Sequence, residues 1–111
     1  MAVYNKSYEL AKELKESTEY IEYKKIKEKV YADEELKAKV KEFDKKQYET
    51  QLLSLQGEQP SEEKMKELQD LYAELMSKED AKKYFECEVR FNVMIADVNK
   101  IIGEAVKDVL N

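Results

Sequence analysis

Histidine carries most acid–base and metal chemistry near neutral pH, and this chain contains none. Histidine-dependent nucleophilic triads are therefore excluded, as are the Glu-x-x-His pairs of di-iron bundles. A zinc set cannot be assembled from one thiol, Cys87. That thiol stands between Glu86 and Glu88, whose like charge disfavours the thiolate, so a bland helical cysteine is expected in place of a nucleophile. Two glycines in the whole chain leave no glycine-rich phosphate loop. Carboxylates remain as the only abundant reactive groups, and nearly all fall at exposed phases of a helical pattern. Glu88 lies within an apolar row and reads as a partly exposed or salt-bridged side chain more readily than as a catalytic acid. The inventory predicts no catalytic residue, no metal ligand, no cofactor and no enzymatic activity.

Charge narrows the choice of partner. The net charge is −5, and its distribution is uneven: residues 1–56 hold 12 acids and 12 bases, residues 57–111 hold 13 acids and 8 bases. A protein that neutralises phosphates needs a positive face, so direct nucleic-acid binding is not the expectation. The alternative rests on a local stripe, with Lys24, Lys25, Lys27 and Lys29 close together and further lysines downstream. An RNA-associated factor would use the lysines of the second and third helices. The plainer reading of those lysines is a solvated helix face laced with Glu22 and Glu28. No stretch approaches the roughly 18 consecutive apolar residues of a membrane span, and MAVYNKSYELAKELKE lacks a signal-peptide hydrophobic region. A cytoplasmic protein with no membrane association is expected, consistent with a single cysteine.

The elements that must position these side chains are helices. The chain is 42% hydrophobic and 41% charged, with two glycines and one proline to interrupt it, and its dominant residues lose little freedom in a helix. Val3, Ser7, Leu10 and Leu14 place one stripe on a helix of about residues 2–16, widened by Tyr4, Tyr8 and Ala11. Ser17 and Thr18 can cap a second, about 18–31, with Tyr23, Ile26 and Val30 inward. Asp33 with Glu34 and Glu35 opens a third, about 33–55, along Leu36, Val40, Phe43, Gln47 and Thr50. QGEQP, residues 56–60, is the one clear loop. Ser61 caps a fourth helix, about 61–76, whose expected inner face is Met65, Leu68, Tyr72 and Leu75, with Pro60 and Met65 placed as a hydrophobic staple. SKED, residues 77–80, resembles a capping box and opens a fifth, about 78–109. The prediction is an all-α fold, a helical bundle of four to five helices in a single domain spanning residues 1–111, with a long C-terminal helix.

That last helix is where a binding surface is expected. Ala81, Tyr84, Glu88, Phe91, Ile95, Val98, Ile102, Ala105 and Val109 keep near-heptad spacing, and Phe85, Val89, Val93, Ala96 and Gly103 form a second row. At 1.5 Å per residue the helix is roughly 48 Å long, against a diameter of about 34 Å for a compact domain of this length. One neighbouring helix would not cover that much apolar surface. Self-association into a homodimer or higher homo-oligomer is expected, with Phe85, Val89, Phe91, Ile95, Val98 and Ile102 as the candidate interface.

The run YIEYKKIKEKVYADEELKAKVKEFDKKQYE, residues 20–49, resembles the YlbF/YmcA family of small bacterial helical proteins. The similarity extends through Tyr20 and Tyr23, the Ala32-Asp33-x-Glu35-Leu36 helix start, GEQPSEEKMKELQDLY and the ending Asn99-Lys100-Ile101-Ile102. It covers nearly the whole chain and is most similar to the uncharacterised branch. The resemblance implies an all-α bundle that forms dimers or larger oligomers without an established enzymatic activity. Characterised members act with YaaT in a regulatory complex that influences competence, sporulation, biofilm formation and messenger RNA processing by RNase Y. Members of that complex are associated with iron–sulfur clusters through cysteines near their C-termini. This chain departs from that pattern, ending IIGEAVKDVLN with no cysteine after Cys87. The function expected is a non-enzymatic adaptor or regulator acting through protein–protein contacts.

Overall fold

Several helix ends are set by a short polar residue or a glycine, and the helices follow from those. In the computed structural model, which describes residues 1–110, five helices and no strand occur: α1 (Ala2–Glu16), α2 (Thr18–Ala32), α3 (Glu34–Leu55), α4 (Glu62–Met76) and α5 (Glu79–Leu110). Ser17 both closes α1 and opens α2: its hydroxyl donates to the Leu14 carbonyl at 2.6 Å and accepts from the Tyr20 N–H at 3.2 Å. Asp33 is extended, and its carboxylate accepts from the Leu36 N–H at 3.1 Å, with Glu34 and Glu35 in the first turn where the helix dipole favours them. Ser61 caps α4 in the same way through Lys64 N–H.

α3 ends in a Schellman motif. Gly57 takes φ +78°, its N–H donates to the Ser54 carbonyl, and the Glu58 N–H reaches back to Leu53. The SKED segment behaves otherwise than its capping-box spacing suggests. Ser77 keeps a right-handed helical backbone at φ −76°, ψ −14°, and its hydroxyl donates to the Glu74 carbonyl, so it closes α4 and does not open α5. An N-cap needs an extended backbone, which Ser77 does not adopt.

The chain divides into two compact units, residues 27–83 and residues 1–26 together with the chain from Tyr84 onward. In the first of these, α3 and α4 run antiparallel. Lys39 pairs with Glu74, and Lys46 pairs with Glu67 seven residues earlier, so the partner number falls as the α3 number rises. The core of this unit is Leu36, Val40 and Phe43 of α3, Leu71 and Leu75 of α4, and Val30 and Ala81 from the unit's two ends, all buried. The inner face of α4 is therefore Leu68, Leu71 and Leu75, with Leu68 half-buried, and not the expected Met65, Leu68, Tyr72 and Leu75. Tyr72 is displaced to the flank, its ring 5.7 Å from that of Phe43, and Met65 faces outward.

The other unit is built on an aromatic cluster. Phe91 of α5 meets Tyr23 edge-on at 5.4 Å and Tyr20 at 6.2 Å, and Tyr23 also lies 5.7 Å from Tyr84. Ile26, Tyr84 and Cys87 are its buried side chains, while α1 contributes none.

Candidate interaction surface

The carboxylates and the thiol singled out by the sequence sit in structural roles. Cys87 is 2% exposed, so it serves as a small apolar packing element. Glu88 is half-buried and accepts a hydrogen bond of 3.1 Å from the Tyr23 hydroxyl, which tethers α2 to α5 beside the aromatic cluster. A polar cleft between α3 and α4 gathers Lys39, Glu42, Lys46, Glu67, Asp70 and Glu74 around Leu71. The hydrogen bond between Lys39 and Glu74 is the main cause of both shifts there: it raises the lysine's pKa and lowers the glutamate's. A general acid or base needs its pKa moved toward neutrality. This pair moves the other way, each partner holding the other charged. No group of three or more Cys, Asp or Glu stands together in a metal-binding arrangement among the described residues.

The unit containing α1 and most of α5 leaves a large apolar surface uncovered. From Asn99 to Leu110 every residue of α5 is exposed, including Ile101 at 70% and Val109 at 82%. Helical geometry distributes Ile101, Ile102, Val106, Val109 and Leu110 around much of the circumference, so a single neighbouring helix could not bury them together. α1 covers one side only, where an apolar groove is lined by Ala2, Val3, Ser7 and Leu10 with Ile102. A second open groove lies between the start of α2 and α5. It is lined by the apolar Val89, Val93, Met94 and Val98 and by Glu19, Glu22, Arg90 and Asp97, with Arg90 held 3.7 Å from Glu22.

The six candidate interface residues are not brought onto one face. Phe91 is half-buried within its own chain's aromatic cluster, and Phe85 is half-buried with its ring 5.3 Å from Tyr84. Ile95 is half-buried, as is Val98 in the second groove, whereas Val89 and Ile102 are exposed. Ile101, Val106 and Leu110 fall outside the heptad phase of the expected seam, and Val93 and Val109 belong to the apolar rows but not to the expected interface. On α1, Val3, Tyr4 and Tyr8 are exposed as well, and Val3 shares the groove with Ile102. Their signal was present in the sequence, since α1 has an apolar stripe, but the stripe alone does not say whether its own chain covers it.

No helix among the described residues is long and apolar enough to cross a membrane. The family described as "Control of competence regulator ComK, YlbF/YmcA" matches residues 3–107. A UPF0342 protein of Caldicellulosiruptor saccharolyticus is 41% identical over 104 residues, 94% of this chain and 87% of the relative. A UPF0342 protein of Desulfitobacterium hafniense is 41% identical over 110 residues, 99% of this chain and 89% of the relative. A third, from Clostridium tetani, is 34% identical over 106 residues, 96% of this chain and 91% of the relative.

Proposed function

Given that this chain belongs to the YlbF/YmcA family, described as controlling the competence regulator ComK, we propose that it is a non-enzymatic adaptor that acts as a homo-oligomer through protein–protein contacts. The observation that carries the reading is the exposed apolar surface of α5 and α1. Contiguous exposed apolar patches on a soluble chain mark interaction sites, because each buried Val, Leu or Ile is worth about 1.5–3 kcal/mol on leaving water. A second copy is the occupant that the arrangement favours. The ends of two α5 helices crossing about a two-fold axis each offer the other the same self-complementary rows, the geometry of an isologous dimer. Ile101, Ile102 and Val109 would lie in that contact with Val98 toward its inner end, Val89 and Val93 would lie outside it farther back along α5, and Phe85, Phe91 and Ile95 would support α5 from within their own chain.

Sedimentation of the unmodified chain at micromolar concentration tests the reading. The expected mass is a multiple of 13.1 kDa, and the doubly substituted Ile101→Asp/Val109→Asp protein is expected to run as a monomer with an unchanged helical circular dichroism spectrum. Both residues are exposed, so their replacement leaves the chain's own core intact. A wild-type protein that sediments only at the monomer mass would sink the oligomer. Retention on RNA at physiological salt would favour the alternative, an RNA-associated factor acting through the α2 and α3 lysines.

A further inference from the structure

Within the unit of residues 27–83, three ammonium groups converge on one aromatic ring. The Nζ atoms of Lys27, Lys37 and Lys41 lie 5.4, 5.6 and 5.9 Å from the centroid of Tyr31. Lys27 is one turn before Tyr31 on α2, and Lys37 and Lys41 are one turn apart on α3, where Lys45 continues the row by another turn. α3 thus carries two lysine rows with different fates. Lys39 and Lys46 turn toward α4 and are paired with Glu74 and Glu67. No ion pair involves Lys37, Lys41 or Lys45 among the described residues. A ring attracts a cation through its quadrupole but cancels none of its charge, so like charges drawn around Tyr31 concentrate positive potential on a chain whose net charge is −5.

We propose that the Lys37, Lys41 and Lys45 row, backed by Lys27 and Tyr31, is a docking surface for an acidic helical segment of a protein partner. The spacing supports this occupant. Positions four apart on a helix rise by about 6 Å, so a partner helix with carboxylates one turn apart meets successive ammonium groups in register. Opposed charges of this kind set specificity and encounter rate more than raw affinity, which suits an adaptor. Two features speak against a nucleic acid at the same place. Four lysines on a chain of net charge −5 provide little of the extended positive surface that phosphate neutralisation requires. Tyr31 is half-buried and its ring is already approached by lysines, so it is a poor platform on which to stack a base.

The inference rests on the adaptor reading for its class of partner, and its test separates the two. The full chain is titrated into a fluorescein-labelled helical peptide with glutamates at four-residue intervals on one face. A peptide of the same composition in scrambled order and a single-stranded 12-nucleotide oligouridylate serve as comparisons. At low ionic strength the in-register peptide is expected to bind about tenfold more tightly than the scrambled one, and to weaken as salt is raised. The Lys37→Gln/Lys41→Gln/Lys45→Gln protein is expected to lose about tenfold in affinity, a size that several exposed pairs acting together can reach. Lys12→Gln/Lys15→Gln/Lys66→Gln, with the same change of net charge elsewhere, is expected to stay within about twofold. Equal losses in both variants would reduce the effect to net charge and overturn the proposal. So would indifference to peptide register, or tighter binding of the oligouridylate with loss in the first variant, which would assign the row to nucleic acid. Sedimentation of the same proteins reports on the oligomer independently, so a monomeric wild type that still prefers the in-register peptide defeats the α5 contact and leaves the lysine row standing.

Discussion

Lys39 holds two carboxylates at once, Glu35 one turn back on α3 and Glu74 across on α4. Its hydrogen bond to Glu74 is the leading cause of its raised pKa, and the same bond lowers that of Glu74. A glutamate with a lowered folded pKa contributes stability above the ordinary value of about 4.5 and loses it as pH falls through the lowered value. A lysine with a raised pKa contributes below about 10.5 and loses its contribution as pH rises through the raised value. The Glu74→Gln protein is therefore expected to melt slightly below the wild type by a constant margin from about pH 6 to 9, with the gap closing as acid protonates the wild-type glutamate. Thermal melts from that range down into acid below the ordinary glutamate value check it, and a gap that widened in acid would contradict the assignment. Solvent screening keeps the margin small. Packing dominates at Leu75, which is fully buried. Leu75→Ala is expected to cost about 2–5 kcal/mol in urea denaturation, whereas Met65→Ala, on the same helix but facing out, is expected to cost much less.

The helices depend on a few residues at their ends, and Gly57 is the position where no other residue type fits without strain. Its φ of +78° closes α3 through two back-turning hydrogen bonds, and open space surrounds the place a Cβ would occupy. Gly57→Ala is thus expected to cost about 1 kcal/mol through backbone strain alone. Gly103 supplies the contrast. It lies mid-helix in α5, also with open space around it, so Gly103→Ala is expected to add about 0.5–1 kcal/mol from helix propensity. Parallel denaturation curves read both signs. A loss at Gly103 would instead mean that a second chain's backbone packs closely there.

For the molecule as a whole, the unequal burial of apolar residues is the feature on which the proposed self-association rests. The unit of residues 27–83 buries leucine, valine and phenylalanine of α3 and α4, while α1 has no fully buried residue and the last three turns of α5 are exposed throughout. If a second copy covers those rows, stability is linked to protein concentration. The melting temperature is then expected to rise with concentration over the micromolar range in the wild type and to be independent of it in Ile101→Asp/Val109→Asp. A concentration-independent wild type would remove this argument for self-association.

Local chemistry made the helices legible before the fold was known. Ser17, Asp33 and Ser61 each satisfy orphan backbone donors from their own side chains, and Gly57 has the one backbone freedom α3 needs to stop, so these ends could be placed within a residue or two. Missing histidine likewise limited the chemistry without reference to any coordinates. Ser77 was illegible for a related reason: a capping side chain works only on an extended backbone, and the turn between α4 and α5 kept it helical. The face of α4 was undecidable from spacing. Leu71 and Tyr72 both fit between Leu68 and Leu75 at helical intervals, and only the position of Phe43 on the antiparallel α3 put Leu71 inside and Tyr72 beside it. The same holds for α5, whose apolar rows are plain in the sequence. Phe91 became part of an intrachain cluster because Tyr20 and Tyr23 of α2 reach it, whereas Ile101 and Val109 stayed exposed because no other element of the chain lies over them. Periodicity records that a side chain is apolar and which way it points along its own helix; what it meets there depends on which elements the tertiary structure brings alongside.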